Sequence, residues 1–196
     1  MLDYNQELEE MISNKNLMNS YKLYFLKALI INISKDKRVF SFYEMACWMG
    51  AYSFGDVCSL GKRIRPLDKL FDVAALAIEK EDLMQSSKIN EVFDALNTTN
   101  DTQLKREVKD LCNYVPYRLL AYLWPSELKG KTDRIKNQLI EEYSRSEQKC
   151  VYAIYSISQK EKIIEVNDSW VDYISINRER LLMWINKKIG EFLRKE

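Results

Sequence analysis

The reactive side chains of this chain fall into three sets, and none of them has a histidine for company. They are the cysteines Cys47, Cys58, Cys112 and Cys150, the Glu127-x-Lys129 pair, and the run from Gly55 to Arg63. Histidine is absent from all 196 residues. That removes a Ser-His-Asp triad, a Cys-His dyad and any metal site that needs imidazole. It also removes a nuclease centre whose general base is histidine. Ser59 and Cys58 have no base to activate them. No two cysteines form a C-x-x-C pair, whereas structural zinc brings its ligands in close pairs, so reduced thiols buried as small hydrophobes are expected. Gly55 and Gly61 bracket five residues before Lys62. A phosphate-binding loop has four there and a Ser/Thr after the lysine, so the run reads as a loop joining two helices. Glu127-x-Lys129 is half of a restriction-type nuclease motif, which needs a second carboxylate on an adjacent strand. It sits instead after Trp124-Pro125, in a stretch that reads as a surface turn. The chain is therefore read as non-catalytic, and no cofactor or metal is expected.

Charge is the other candidate chemistry. Basic and acidic residues number 30 and 29, for a net charge of +1. With no global basic field, nucleic-acid binding would rest on local clusters. Three exist. Lys62, Arg63, Arg65 and Lys69 form the first, and Lys105, Arg106, Lys109 and Arg118 the second. Lys129, Lys131, Arg134 and Lys136 form the third. The candidates for contact with the phosphates of double-stranded DNA are Lys62, Arg63, Arg65, Lys105, Arg106 and Arg118, with Lys131 and Arg134 behind them. Such contacts position the duplex without reading its sequence. The competing reading is that these runs are solvated faces and that the chain is a protein-interaction or oligomerisation module, with Phe192-Leu193 closing an apolar seam.

The elements that position these groups are mainly helices. Only 5 Gly and 3 Pro occur, while 46% of residues are hydrophobic and 12% aromatic. Few breakers favour long helices. Residues 1–16 read as a polar lead-in with at most one helical turn, and 17–196 as one helical domain. Residues 21–33 read as a central helix, apolar on most sides. Ser41 with Glu44 reads as a capping box. Residues 53–66 read as loop, with Pro66 opening the next helix. Residues 81–102 read as an internal linker holding a short helix. One small β-hairpin is expected at about 151–166, followed by caps at Asp168 and Asn177 and a long C-terminal helix. Trp48, Trp124, Trp170 and Trp184 read as core. No segment is apolar enough for a membrane span, and the N-terminus is no signal peptide, so a cytoplasmic protein is expected.

Several segments also resemble the helical N-terminal half of a bacterial HNH-endonuclease family. They are Met18 to Ile30, with Asn19, Ser20, Tyr21 and Lys22 at the start of a hydrophobic helix; Phe42, Ala46 and Met49; Val115 to Leu120; and Trp170, Tyr173, Asn177, Leu181, Trp184 and Ile185. The chain departs from the family pattern at Met49–Phe54. In that family a His-bearing nuclease unit follows this region, and the present chain stops at Glu196, where that unit would begin. The resemblance implies a domain that positions DNA, or senses a signal, for a nuclease unit in cis or for a protein partner. It also suggests a place in restriction or phage defence. No catalytic residue carries over.

Overall fold

The computed structural model describes residues 3–13, 19–158 and 161–194. It is mainly α-helical with one small antiparallel sheet. Helix α1 (Tyr4–Met11) is capped by Asp3, whose carboxylate accepts from the amides of Asn5 and Gln6 at 3.1 Å. The polar lead-in is thus a full helix that buries Leu8 and Met11; the part of it at 1–2 and 14–16 lies outside the described residues.

Helix α2 (Tyr21–Asn32) is the hub. Its residues from Tyr21 to Leu26 and from Ala28 to Ile30 are buried, as its all-round apolar sequence predicts. It packs against α3 (Phe42–Leu60), α7 (Val115–Leu120) and α10 (Asp168–Leu193). Each fully buried Leu or Phe here contributes about 1.5–3 kcal/mol of apolar transfer free energy. The C-terminal carbonyls of α2 are capped from outside. Arg178 on α10 donates to Ile31 O at 3.0 Å and to Ile33 O.

Helix α3 begins where expected, with Ser41 Oγ accepting from Glu44 N at 3.0 Å. The Glu44 carboxylate takes Lys37 instead, at 2.5 Å. The helix then runs through the first part of the stretch read as loop, as far as Leu60, while residues 61–66 are not helical. Gly55 is helical, and of these two glycines Gly61 alone adopts positive φ (63°), as the residue that ends the helix. Pro66 does not open a helix either, for α4 (Leu70–Lys80) begins four residues later.

In the span read as a linker, residues 81–88 hold no helix or strand and are mostly exposed, and the short helix expected within it is present and packed. Helix α5 (Ile89–Thr98) buries Val92 and Leu96 against α3. Leu96 approaches α3 at Gly50 so closely that a Cβ there would lie 2.7 Å from Leu96 Cδ1. Helices α6 (Thr102–Leu111) and α7 follow. A 3-10 turn (Ala121–Leu123), α8 (Pro125–Leu128) and α9 (Asp133–Ser144) lead to the sheet.

The hairpin strands are β2 (Tyr152–Ser156) and β3 (Lys162–Val166), and its turn residues 159–160 lie outside the described residues. A third strand that the sequence reading missed, β1 (Val39–Ser41), makes the order β1-β3-β2 and pairs Phe40 with Ile164. The sheet is a wall of the core. Tyr152 is fully buried and its hydroxyl donates to Pro116 O at 2.7 Å.

The C-terminal helix is longer than expected. It spans 26 residues, or about 39 Å at 1.5 Å per residue. Asn177 is no cap but a mid-helix residue donating to Tyr173 O at 2.9 Å. The seam from Leu181 through Ile185 and Ile189 to Phe192 is spent on the body of this same chain. Trp170 is fully buried, while Trp48, Trp124 and Trp184 are partly buried against the core.

Candidate functional site

A concavity forms where the start of α2 faces the corner between α6 and α7. The α2 side is pinned by a buried carboxylate. Asp68 is 1% exposed and accepts from Ser20 N at 3.2 Å, from the Ser20 hydroxyl, and from Leu70 N at 3.1 Å. Burial pushes its carboxyl upward in pKa and these three donors work against that. Next to it, the Tyr21 hydroxyl receives Lys69 N at 2.6 Å and points at Leu67 O at 3.4 Å. Residues 67–69 are thereby fixed as one wall. The other wall is Asp110, Leu111, Asn113, Tyr114, Val115 and Arg118. The space between is about 760 Å³, within the range of small-molecule sites.

Lys22 lies in this cleft, on a helix whose buried residues are otherwise apolar or aromatic. It is 7% exposed, and its Nζ donates to Met11 O at 3.2 Å, the last residue of α1. Burial, and then the charge of Arg118, push its pKa down to about 8. Lys69, in the same cleft, is satisfied by Glu107 at 2.9 Å and Asp110 at 3.2 Å, which hold its pKa above the usual range. Arg118 reaches Asp133 at 3.5 Å, and its guanidinium lies 5.0 Å from the centroid of the Tyr114 ring.

Two smaller clefts meet this one at Asn113. One, of about 460 Å³, is lined by Tyr114, Asp133, Arg134 and Lys162. The other, of about 480 Å³, is lined by Lys109, Tyr117 and Lys162. Lys162 donates to Tyr117 Oη at 2.6 Å and to Glu141 Oε2 at 2.8 Å. Burial works to lower its pKa, but these two partners leave it raised.

The cations predicted from sequence are dispersed, and most are engaged. Arg63 forms a fork on Asp72 (3.0 and 2.8 Å) and donates to Pro66 O at 3.3 Å, and it lines a cleft that shares Lys69 with the main one. Arg65 is half-buried with its guanidinium 4.7 Å from the Phe192 ring centroid, while Lys62 is exposed. Lys105 lies 5.9 Å from the Tyr43 ring, and Arg106 pairs with Glu107 at 3.2 Å. Lys131 and Arg134 are exposed at the start of α9. The Arg118–Asp133 pair joins Arg118 to that same helix end, which Lys131 and Arg134 flank in sequence.

Cys47, Cys112 and Cys150 are buried and Cys58 half-buried, all as free thiols. Burial pushes Cys47 and Cys150 up to about 12, which leaves them protonated and unreactive at neutral pH. Glu127 and Lys129 are exposed at α8. Among the described residues no group of three His, Cys, Asp or Glu side chains is placed to hold a metal, and no helix is long and apolar enough to cross a membrane.

Sequence reasoning missed Lys22, Lys162 and Asn113 as site residues. Lys22 left a signal. An ammonium set in a helix with no polar face must find a partner or a cavity. Lys162 left none, because one lysine in an alternating strand reads as its solvent face. No family model, curated protein or solved structure matches this chain.

Proposed function

We propose that this chain is a non-catalytic helical domain that positions double-stranded DNA for a nuclease unit, in cis or in a partner protein. Its DNA-facing patch is at the α7–α9 corner. The observation that carries this reading is the Arg118–Asp133 ion pair, which sets Arg118 from α7 beside Lys131 and Arg134 at the N-terminus of α9. Three cations from two elements of a rigid body lose less ordering entropy on a phosphate backbone than the same charges on a tail. The exposed rim residue Tyr114, 45% accessible, adds a ring beside them. The cluster at 62–65 contributes less, since Arg63 would first have to leave Asp72.

Duplex DNA binding measured against salt tests this. Each neutralised phosphate adds about 0.9 to the slope of log affinity against log salt. Changing Arg118, Lys131 and Arg134 together to Ala should weaken binding to any sequence and flatten the slope by roughly 2–3 units. The Lys62, Arg63 and Arg65 triple Ala variant should flatten it less. A wild-type chain that does not bind duplex DNA at low salt overturns the reading. The interaction-module reading would then lead, supported by Ile176 and Met183, which stand 83% and 68% exposed seven residues apart on α10.

A further inference from the structure

From the cleft between α2 and the α6–α7 corner we infer a second site, adjoining the DNA patch through Arg118 and Tyr114, which binds a small aromatic anion: a phosphate monoester held between Lys22 and Arg118, with its ring against Tyr114 and Leu67. The inference does not rest on DNA binding, and the variants below separate the two.

Four observations converge on it. The cleft is large enough for a compact organic ligand and is walled by rigid elements, one side pinned through Asp68 and Tyr21. Its charged lining is unbalanced. Lys69 already holds both Glu107 and Asp110, and Arg118 meets Asp133 only at 3.5 Å. The Lys22 ammonium has three donors, and the structure gives it one acceptor, a main-chain carbonyl. A buried charge in that state is costly unless a counter-charge arrives. An anion placed between Lys22 and Arg118 supplies it, using charge-assisted hydrogen bonds on both sides.

The rest of the lining selects the body of the ligand. Tyr114 is 45% and Leu67 83% exposed, two apolar surfaces at the rim of a cationic floor. Asn19 and Asn113 add amides that suit a polar substituent. Inorganic phosphate would satisfy the floor and leave the rim unused. An aryl phosphate uses both.

Proton linkage gives the site a signature. Lys22 shares the lining with Arg118 of α7, Lys69 and Asp110, and among the described residues the Met11 carbonyl of α1 is its bonded partner. Burial and Arg118 lower its pKa to about 8, so above that value a dianion binds only as Lys22 takes up a proton from solvent. Affinity should then fall about tenfold per pH unit above about 8, as the cation becomes a minor species.

The experiment is calorimetric titration of the whole chain with phenyl phosphate, inorganic phosphate, benzoate and phenol at pH 7 and pH 9.5. Phenyl phosphate should bind most tightly, inorganic phosphate and benzoate more weakly, and phenol not measurably. Arg118→Gln, at an exposed position, should weaken phenyl phosphate by about tenfold or more. Lys22→Met should do the same and abolish the fall between pH 7 and 9.5, while Lys22→Arg retains binding at both. The Lys131 and Arg134 double Ala variant should bind phenyl phosphate as the wild type does, even where it has lost DNA. No binding of phenyl phosphate at 10 mM, or equal binding by a folded Lys22→Met chain, overturns the proposal. So does loss of binding in the Lys131 and Arg134 variant, which would merge this site with the DNA patch.

Discussion

Two lysines on either side of Asn113 meet burial in opposite ways. Lys162 reaches from β3 to a carboxylate and a phenol, Glu141 at 2.8 Å and Tyr117 at 2.6 Å, and keeps its charge more firmly than a free lysine. Lys22 is more deeply buried, has one carbonyl for a partner, feels the charge of Arg118, and holds its proton less firmly. The difference is between a charge that ties a strand to two helices and a charge with no carboxylate beside it among the described residues. Burial alone does not distinguish them. The presence of a counter-charge does.

The largest effect expected from this contrast is a difference in sign. A pKa lowered to about 8 corresponds to about 3 kcal/mol against folding at neutral pH. Losing the hydrogen bond to Met11 O returns about 1 kcal/mol of that. Lys22→Met should therefore stabilise the fold at pH 7 by about 2 kcal/mol in chemical denaturation. Lys162→Met should destabilise it by about 1 kcal/mol, a figure tempered by solvent access to that pair. If both variants shift stability the same way, the contrast is broken.

The pH dependence sharpens it. The folded pKa of Lys22 lies below its unfolded value, so between about pH 8 and 10.5 the unfolded chain binds the extra proton and stability rises with pH. The stability gap between Lys22→Met and wild type should be widest below pH 8 and close as the pH approaches 10.5. Lys162 has the opposite sense. Its pKa is raised, so its stabilisation is complete below the unfolded value and is lost only as the pH rises through the folded one. Denaturation curves at pH 7 and 9.5 should show the Lys22→Met gap narrowing while the Lys162→Met gap stays unchanged.

Smaller effects follow at the partners. Glu141 also holds Arg145 at 2.6 Å, so Glu141→Gln should cost about 1 kcal/mol and lose part of that cost in high salt. Smallest is the pair of glycines read as one loop. Gly55 lies inside α3 with open space around it, and Gly55→Ala should stabilise by about 0.5–1 kcal/mol. Gly61 sits at φ 63°, and Gly61→Ala should cost about 1 kcal/mol. Thermal melts resolve both, and a destabilised Gly55→Ala chain would reinstate the loop reading there.

Much of the helix plan was legible, because it follows from local patterns. The apolar hub at 21–33, the Ser41 cap, the two hairpin strands and the long final helix all rest on periodicity or capping chemistry within a few residues. What failed was punctuation. Gly55, Pro66 and Asn177 looked like boundaries, and in the fold the first and last are mid-helix while Pro66 lies in a turn. A long helix held by tertiary packing absorbs one unfavourable residue at a cost of about 1 kcal/mol. Strand β1 was hidden because three residues carry no period, and its pairing partner lies more than a hundred residues away.

The candidate site was less legible than the fold. Its cations were visible as clusters, but sequence adjacency says nothing of who neutralises whom. Arg63 was taken by Asp72, Lys69 by Glu107 and Asp110, and Arg65 by the ring of Phe192 from the far end of the chain. Composition by itself determined that no imidazole chemistry is available, that the charges nearly balance, and that the body is helical, since these depend on which residues exist and on local periodicity. Only the tertiary structure decided that Lys22 has no carboxylate and Lys162 has one, because a charge is matched by whatever the fold brings within about 4 Å of it, whatever the distance along the chain.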